Sequence, residues 1–428
     1  MRSPRFEVIR DPLWDNIRLD EAAMAVLDAP VVQRLRYVRQ LGHAFLVYPG
    51  ATHSRFEHAL GTYHLTRQAL TILAERGELE GISPEDHLAT RLAALLHDIG
   101  HYPFSHGLEE AGLPHHESLG VAKLHEDDLA QRLASFGIPD LADRVGALIE
   151  GTSSSPLGGL ISGTLDLDKI DYLSRDARMC GVPYGTVDVD RLLASLTLCR
   201  VDEHGMVLGI HEKGLSALES LLFARYQMYR NVYWHHAVRA ATCMFKRVVR
   251  DAMRRGVLTT ESIAAASDGT IMEQLLSSDP SGLATAVYHR RLFKRAVDVP
   301  GSDLPSDTQS WLWDDVPLRE RVEDSLARAS GLEPGQLLID LPARKAMFGI
   351  HLPLRTRTGA VEWLTGEARS GELGLPGVAD ELYRSAQRLR VFLGRPVDLP
   401  LRTIMELVTV PADDVSDRLD RNELVGVR

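Results

Sequence analysis

The stretch ALLHDIGHYPFSH (94–106) carries an apolar helix into a cluster of titratable groups, with His97 and Asp98 side by side. A divalent metal with nitrogen and oxygen ligands takes imidazoles and carboxylates, but two ligands do not hold an ion. The chain offers two more, His58 upstream and Asp168 downstream. Together His58, His97, Asp98 and Asp168 form a two-histidine, two-carboxylate set. It leaves positions open for water and substrate, as a catalytic rather than a structural site requires. A His-Asp doublet alone is more often a partly buried, hydrogen-bonded pair. This one follows a leucine-rich helix, precedes a glycine and further histidines, and has a distant aspartate–lysine pair to meet. Eleven of the seventeen histidines lie between His43 and His125.

Helices must carry these side chains. Residues 18–40 read as helical, with Leu19, Met24, Leu27, Val31, Leu35 and Val38 near the 3.6 period. Ser54-Arg55-Phe56-Glu57 is a capping box that starts another helix, with Arg55 and His58 on one face. Ser83 and Pro84 start the next, and Gly100 and Pro103 end or bend it. Helical pattern resumes over 117–136, 142–150 and 165–179, and one long helix is predicted from Lys213 to about Arg255. Lys169, Tyr172 and Asp176 then form a single stripe beside Asp168; a solvated charged face is the alternative. Residues 206–210, 336–341 and 389–393 read as strands, with a helical segment over 377–389. The expected fold is mostly α: a helical core over 1–255, a helical extension over 256–330 and a small α/β lobe over 331–428.

Composition bounds the function. The chain has 428 residues, 44% hydrophobic and 25% charged, ordinary for a globular protein. Its net charge of −11 argues against nonspecific nucleic-acid binding, which needs a basic surface. Three cysteines without a C-x-x-C pair fit a reducing cytoplasm. No signal-peptide pattern and no apolar run long enough for a membrane span is found.

The order of histidine, His-Asp and aspartate resembles the signature of the HD-domain phosphohydrolase superfamily. The words QRLRYVRQLG (33–42), YPGATHSRFEHALG (48–61), LLHDIGHYPFSH (95–106), HESLG (116–120) and LDLDKIDYLSRD (165–176) resemble its branch of bacterial and mammalian deoxynucleoside triphosphate triphosphohydrolases. The resemblance runs from residue 6 to about 245. It implies a helical HD core and hydrolysis of a dNTP to deoxynucleoside and inorganic triphosphate. It makes His58, His97, Asp98 and Asp168 ligands of one divalent transition metal (Fe, Mn, Zn, Ni or Co), with Mg a further candidate on the substrate phosphates. The metal would activate water against the α-phosphorus. His106 and His116 would lie near that phosphate and supply the proton the sugar 5′-oxygen needs. Glu109 would orient His106, and His101 would contact phosphate; the alternative for His101 is a solvated loop side chain.

By the same resemblance, Lys169, Tyr172, Arg55 and Arg225 meet phosphates and Asp176 the 3′-hydroxyl. Gln40, Leu41, Tyr229 and Tyr233 would wall the deoxyribose, although Tyr226, Tyr229 and Tyr233 equally read as core packing. A homo-oligomer (dimer, tetramer or hexamer) is expected. Activated relatives bind a second nucleotide between subunits, and Asp28 and Arg36, with Gln33 nearby, match residues that read a guanine there. A surface ion pair is the alternative for Asp28 and Arg36. Glu7 stands where those relatives carry lysine, and Leu13-Trp14-Asp15-Asn16 replaces their histidine-glycine turn, so activation of that type is not expected. Two other functions stay open: a phosphohydrolase or phosphodiesterase acting on other nucleotides or short oligonucleotides, and a nucleotide sensor without catalysis.

Overall fold

Asp11 turns the chain near its start. Its Oδ1 accepts from the backbone N–H groups of Leu13 and Trp14 at 2.8 Å each, an Asx turn. This turn joins β1 (Glu7–Asp11) to β2 (Asp15–Leu19). The computed structural model describes residues 6–201, 205–343, 349–365 and 379–424. The helix expected over 18–40 is corrected to the end of β2, the helices Glu21–Leu27 and Pro30–Gln33, and the 3-10 turn Arg34–Tyr37. Pro30 is the reason: it is accepted in a first helical turn and not inside a helix. The apolar spacing still marks the core, since Leu19, Leu27, Leu35 and Val38 are buried.

The helices Arg55–Glu75, Pro84–Leu96, Leu141–Ile149 and Leu167–Cys180 pack together around one apolar core. Ser54 caps the first in a reciprocal box with Glu57, and Ser83 caps the second. The second helix ends at Leu96 with His97 as its C-cap. The doublet therefore sits where the helical path is released and neighbouring side chains can converge. The pattern over 117–136 divides into His116–Leu124 and Asp127–Ala134. The long helix expected over 213–255 is two, Leu215–Met228 and His236–Arg254, joined by the π-helical turn Tyr229–Tyr233. Such wide turns recur at functional sites, and this one carries both candidate tyrosines.

The further strands are β3 (Leu196–Val201), β4 (Gly205–His211), β5 (Lys294–Pro300), β6 (Leu337–Asp340), β7 (His351–Arg355), β8 (Val361–Thr365) and β9 (Arg388–Leu393). They form sheets ordered β3-β4-β7-β8 and β5-β9-β6. β4, β6 and β9 are the strands expected from sequence. The helix expected over 377–389 is Ala379–Ala386, and residues 377 and 378 lie outside the described residues. The molecule is a helical core with a C-terminal α/β region, as the sequence pattern predicted. Among the described residues no helix is long and apolar enough to cross a membrane.

Candidate active site

The helices bearing His58 and Asp168 lie side by side, and the doublet reaches them from the end of a third. His58 Nε2 is 2.8 Å from Asp168 Oδ1, 3.2 Å from His97 Nε2 and 3.7 Å from Asp98 Oδ2. His97 Nε2 is 3.6 Å from Asp168 Oδ1 and 3.4 Å from Asp98 Oδ1. Two ligands bonded to one ion at about 2.1 Å stand roughly 3.0–3.4 Å apart, so the spacing fits. The tautomers fit too. His58 Nδ1 faces Asp171 Oδ2 at 2.8 Å, and His97 Nδ1 faces the Ala94 carbonyl at 3.0 Å. An acceptor on Nδ1 fixes the proton there and turns the Nε2 lone pair inward. With both rings neutral, the two Nε2 atoms and the Asp168 carboxylate are acceptors facing one another, which a proton on His58 or a metal cation satisfies. His58, His97 and Asp168 could thus hold a metal ion.

The local field favours positive charge. Burial opposes a charged imidazole at His58, but Asp168 and Asp171 outweigh it and raise the pKa to about 10. Burial pushes Asp98 up, yet Arg55 and the neighbouring histidines hold it well below the carboxylate range. Arg55 is itself buried; it donates to Asp98 Oδ2 at 2.7 Å and to Ser105 Oγ at 2.9 Å.

A second cluster adjoins the first, with ligand atoms of His101, His106, Glu109 and His116 mutually within 4.8 Å. Glu109 is its centre, 2.6 Å from His116 Nδ1 and 3.2 Å from His106 Nδ1. His101 stacks on His116 with ring centroids 3.5 Å apart, and its Nε2 lies 3.1 Å from Asp98 Oδ1. This approach requires glycine at 100, where a β-carbon would come within 2.0 Å of the His116 carbonyl oxygen. Phe104 and Ser105 adopt left-handed φ of 57° and 62°, uncommon away from glycine. The turn is fixed by Asp268, which accepts from the Phe104 N–H at 2.7 Å. Burial works to raise the Glu109 pKa, but hydrogen bonds from His106 and His116 hold it well below its usual range. Burial and then Arg55 hold His101 well below the ordinary histidine pKa. His101 is fully buried, which excludes the solvated-loop alternative.

Both clusters face a cavity of about 480 Å³, within the roughly 300–1,000 Å³ of small-molecule sites. All the sequence-predicted metal, catalytic and substrate residues line it except His58 and Glu109, which stand behind its wall. Gln40 Oε1 and Arg225 Nε are buried without a hydrogen-bond partner. The Arg225 guanidinium lies 5.9 Å from the Tyr229 ring, and Tyr229 meets Tyr233 edge to face at 5.0 Å. Tyr226 is different: it is buried in the core, with its hydroxyl 3.2 Å from Ser385 Oγ. Lys169 lines the cavity, yet its ammonium is held by Asp166 and by the Gly163 carbonyl. Asp176 is fixed by His53 Nε2 at 2.8 Å and the Tyr233 hydroxyl at 2.7 Å.

Asp28, Gln33 and Arg36 do not line this cavity. Asp28 and Arg36 are exposed. Arg36 donates to Gln33 Oε1 at 2.7 Å and lies 3.6 Å over the Phe56 ring. Its partner is thus Gln33, where a pair with Asp28 was the alternative. Sequence reasoning passed over His53, Ser105, Asp166 and Asp171, which hold Asp176, Arg55, Lys169 and His58. Asp171 had a signal, its place one turn after Asp168 and one turn before Arg175.

Residues 55–176 match the HD domain family, and residues 187–362 match the HD associated region. The chain is 37% identical to an uncharacterized protein of Methanocaldococcus jannaschii, over 72% of this chain and 63% of that one. It is 26% identical to the human deoxynucleoside triphosphate triphosphohydrolase SAMHD1, over 67% of this chain and 54% of that one. It therefore spans roughly half to three fifths of the length of these curated relatives. A hypothetical protein from Aquifex aeolicus superposes with a TM-score of 0.69 at 25% identity, covering 95% of this chain and 99% of that one. A phosphohydrolase from Bacteroides thetaiotaomicron shares the fold, with a TM-score of 0.71 at 23% identity over 91% of this chain and 100% of that one. With His58, His97 and Asp168 gathered at one point and Asp98 beside the two histidines, the chain belongs to the HD-domain superfamily.

Proposed function

We propose that this protein hydrolyses a deoxynucleoside triphosphate to deoxynucleoside and inorganic triphosphate. The observation that carries the reading is one cavity lined both by a cluster fit for a metal and by a glutamate-held histidine pair. His58, His97, Asp98 and Asp168 would hold a divalent transition metal, which when bound supplies a Lewis acid and lowers the pKa of water. Arg55 offsets the charge of Asp98 and presents its remaining N–H groups to phosphate. His106, held by the Glu109 carboxylate, delivers the proton to the leaving 5′-oxygen. The carboxylate stabilises the imidazolium that must form first, as an aspartate does in a catalytic triad. His116 shares Glu109 and donates to the α-phosphate. His101, stacked on His116, keeps its Nε2 proton toward Asp98.

Arg225 and Tyr172 bind phosphate oxygens, and Lys169 exchanges Asp166 for one when the nucleotide enters. Asp176, fixed by His53 and Tyr233, accepts the 3′-hydroxyl. Gln40, Leu41, Tyr229 and Tyr233 close around the deoxyribose. A homo-oligomer belongs to this reading; with Glu7 in place of lysine, Asp28, Gln33 and Arg36 do not form a guanine-reading activator site of the relatives' type, and activity without a nucleotide effector is expected. Purified protein with Mn²⁺ is expected to release triphosphate from dNTPs. Release of pyrophosphate or orthophosphate rejects the reaction. Equal turnover of ribonucleotides, cyclic nucleotides or single-stranded oligomers rejects the substrate.

A further inference from the structure

Asp171 is buried without any exposure, and donors reach its two oxygens from three separate elements. His58 Nδ1 lies 2.8 Å from Oδ2. Arg175, one turn along the same helix, donates through Nε to Oδ2 at 2.9 Å and through its terminal nitrogen to Oδ1 at 3.0 Å. The third donor comes from outside the helical core. The indole Nε1–H of Trp14, in the turn of the N-terminal hairpin, donates to Oδ1 at 2.5 Å. These four bonds fill the lone-pair sites of an ionised carboxylate. The packing is built for this contact: a β-carbon at Gly61, one turn after His58, would sit 1.9 Å from Asp171 Oδ1.

The hairpin is tied to the same point twice. Asp11, which shapes the turn, accepts from Arg175 at 2.8 Å, and Arg175 is also fully buried. Asp11, Trp14, Arg175 and Asp171 thus form a continuous polar chain ending on the ring of His58. Arg175 grips both carboxylate oxygens from its own helix, and Trp14 adds the donor that reaches Asp171 directly from the hairpin. A tilted Asp171 would tilt the His58 ring and misdirect its Nε2, since outer partners set ligand orientation and basicity.

We propose that Trp14 is a positioning residue for the metal centre: through Asp171, the N-terminal hairpin sets the orientation of the His58 imidazole. This rests on the metal-binding part of the function proposed above, not on the choice of substrate. The test uses the full chain, stripped of metal and titrated with Mn²⁺ alone by calorimetry. Trp14→Phe keeps an aromatic ring and loses the N–H donor, and Trp14→His restores a donor. Trp14→Phe is expected to weaken Mn²⁺ binding about tenfold, the low end for loss of an outer partner. The melting temperature of the metal-free protein should stay unchanged, and Trp14→His should recover most of the affinity. Wild-type Mn²⁺ affinity in Trp14→Phe overturns the inference. So does a weakening matched by a lower metal-free melting temperature and not rescued by Trp14→His, which is the mark of a merely structural tryptophan. A wild-type protein that binds Mn²⁺ and yields no triphosphate sinks the substrate reading and leaves this one standing.

Discussion

Around His58 the chain buries imidazoles and carboxylates whose acceptor atoms converge. Between the helix His236–Arg254 and β6 it buries Arg239 and Asp340, and there acceptors meet donors. Arg239 donates to Asp340 at 2.6–3.2 Å and to Glu110 at 2.8 and 3.0 Å. About two turns further along the same helix from Arg239, Arg247 grips Asp324 bidentately at 2.8 and 3.1 Å. Both regions shift pKa values strongly: burial raises Asp98 and Asp340 alike, and arginines bring both down. A perturbed carboxylate alone therefore does not mark a site. The difference is stoichiometric. In the second region guanidinium forks match the carboxylates, as in a structural tie. In the first, His58 and His97 turn Nε2 atoms toward one another and toward Asp168, an array of acceptors that added positive charge resolves, a proton on His58 or a shared metal ion.

The comparison breaks if the two regions respond alike to substitution. The largest effect is expected from His97→Ala/Asp98→Ala or from Asp168→Ala. Each should abolish Mn²⁺ binding and triphosphate release while leaving the helical circular dichroism intact; turnover that survives refutes the metal assignment. His106→Gln should come next, cutting turnover by roughly a hundredfold or more, as loss of a general acid does, with Mn²⁺ affinity retained. If Mn²⁺ binding falls with it, His106 belongs to the metal cluster instead.

Asp340→Ala probes the other region. Leaving Arg239 short of a buried partner should cost about 3 kcal/mol in urea unfolding, with Mn²⁺ affinity unchanged. The smallest effect is expected at Glu323, whose pKa burial raises to about 7 against the pull of Arg319. The folded state then keeps a proton that the unfolded chain releases above its ordinary pKa near 4.5. Stability from this group is present below that value and lost as pH climbs through about 7. Relative to Glu323→Gln, the wild type should lose roughly 2 kcal/mol between pH 5 and 8. Parallel stability curves for the two proteins would remove Glu323 as the titrating group.

Local physics made some elements legible. The Ser54–Glu57 box and the Ser83 cap are short-range bonds among consecutive residues, so the sequence specifies them directly. The break at Pro30 was equally local and was overridden by a persuasive apolar period. The hairpin over 7–19 was missed because its buried residues Asp11, Ile17 and Leu19 do not alternate cleanly along both strands. The π-helical turn at 229–233 left no trace in periodicity, since one widened turn barely shifts the apolar spacing.

The sequence by itself determined which groups were available: four metal-fitting side chains, a histidine–glutamate set, and a stripe with Lys169, Tyr172 and Asp176. Side-chain chemistry and helical period are properties of the chain alone. Only the tertiary structure decided how those groups are held. It gave His53 to Asp176, Asp166 to Lys169, and Asp171, Arg175 and Trp14 to His58. Asp171 and Trp14 are 157 positions apart and His53 and Asp176 are 123 apart. Pairings at that range are set by how whole helices and a hairpin pack, and no local pattern encodes them.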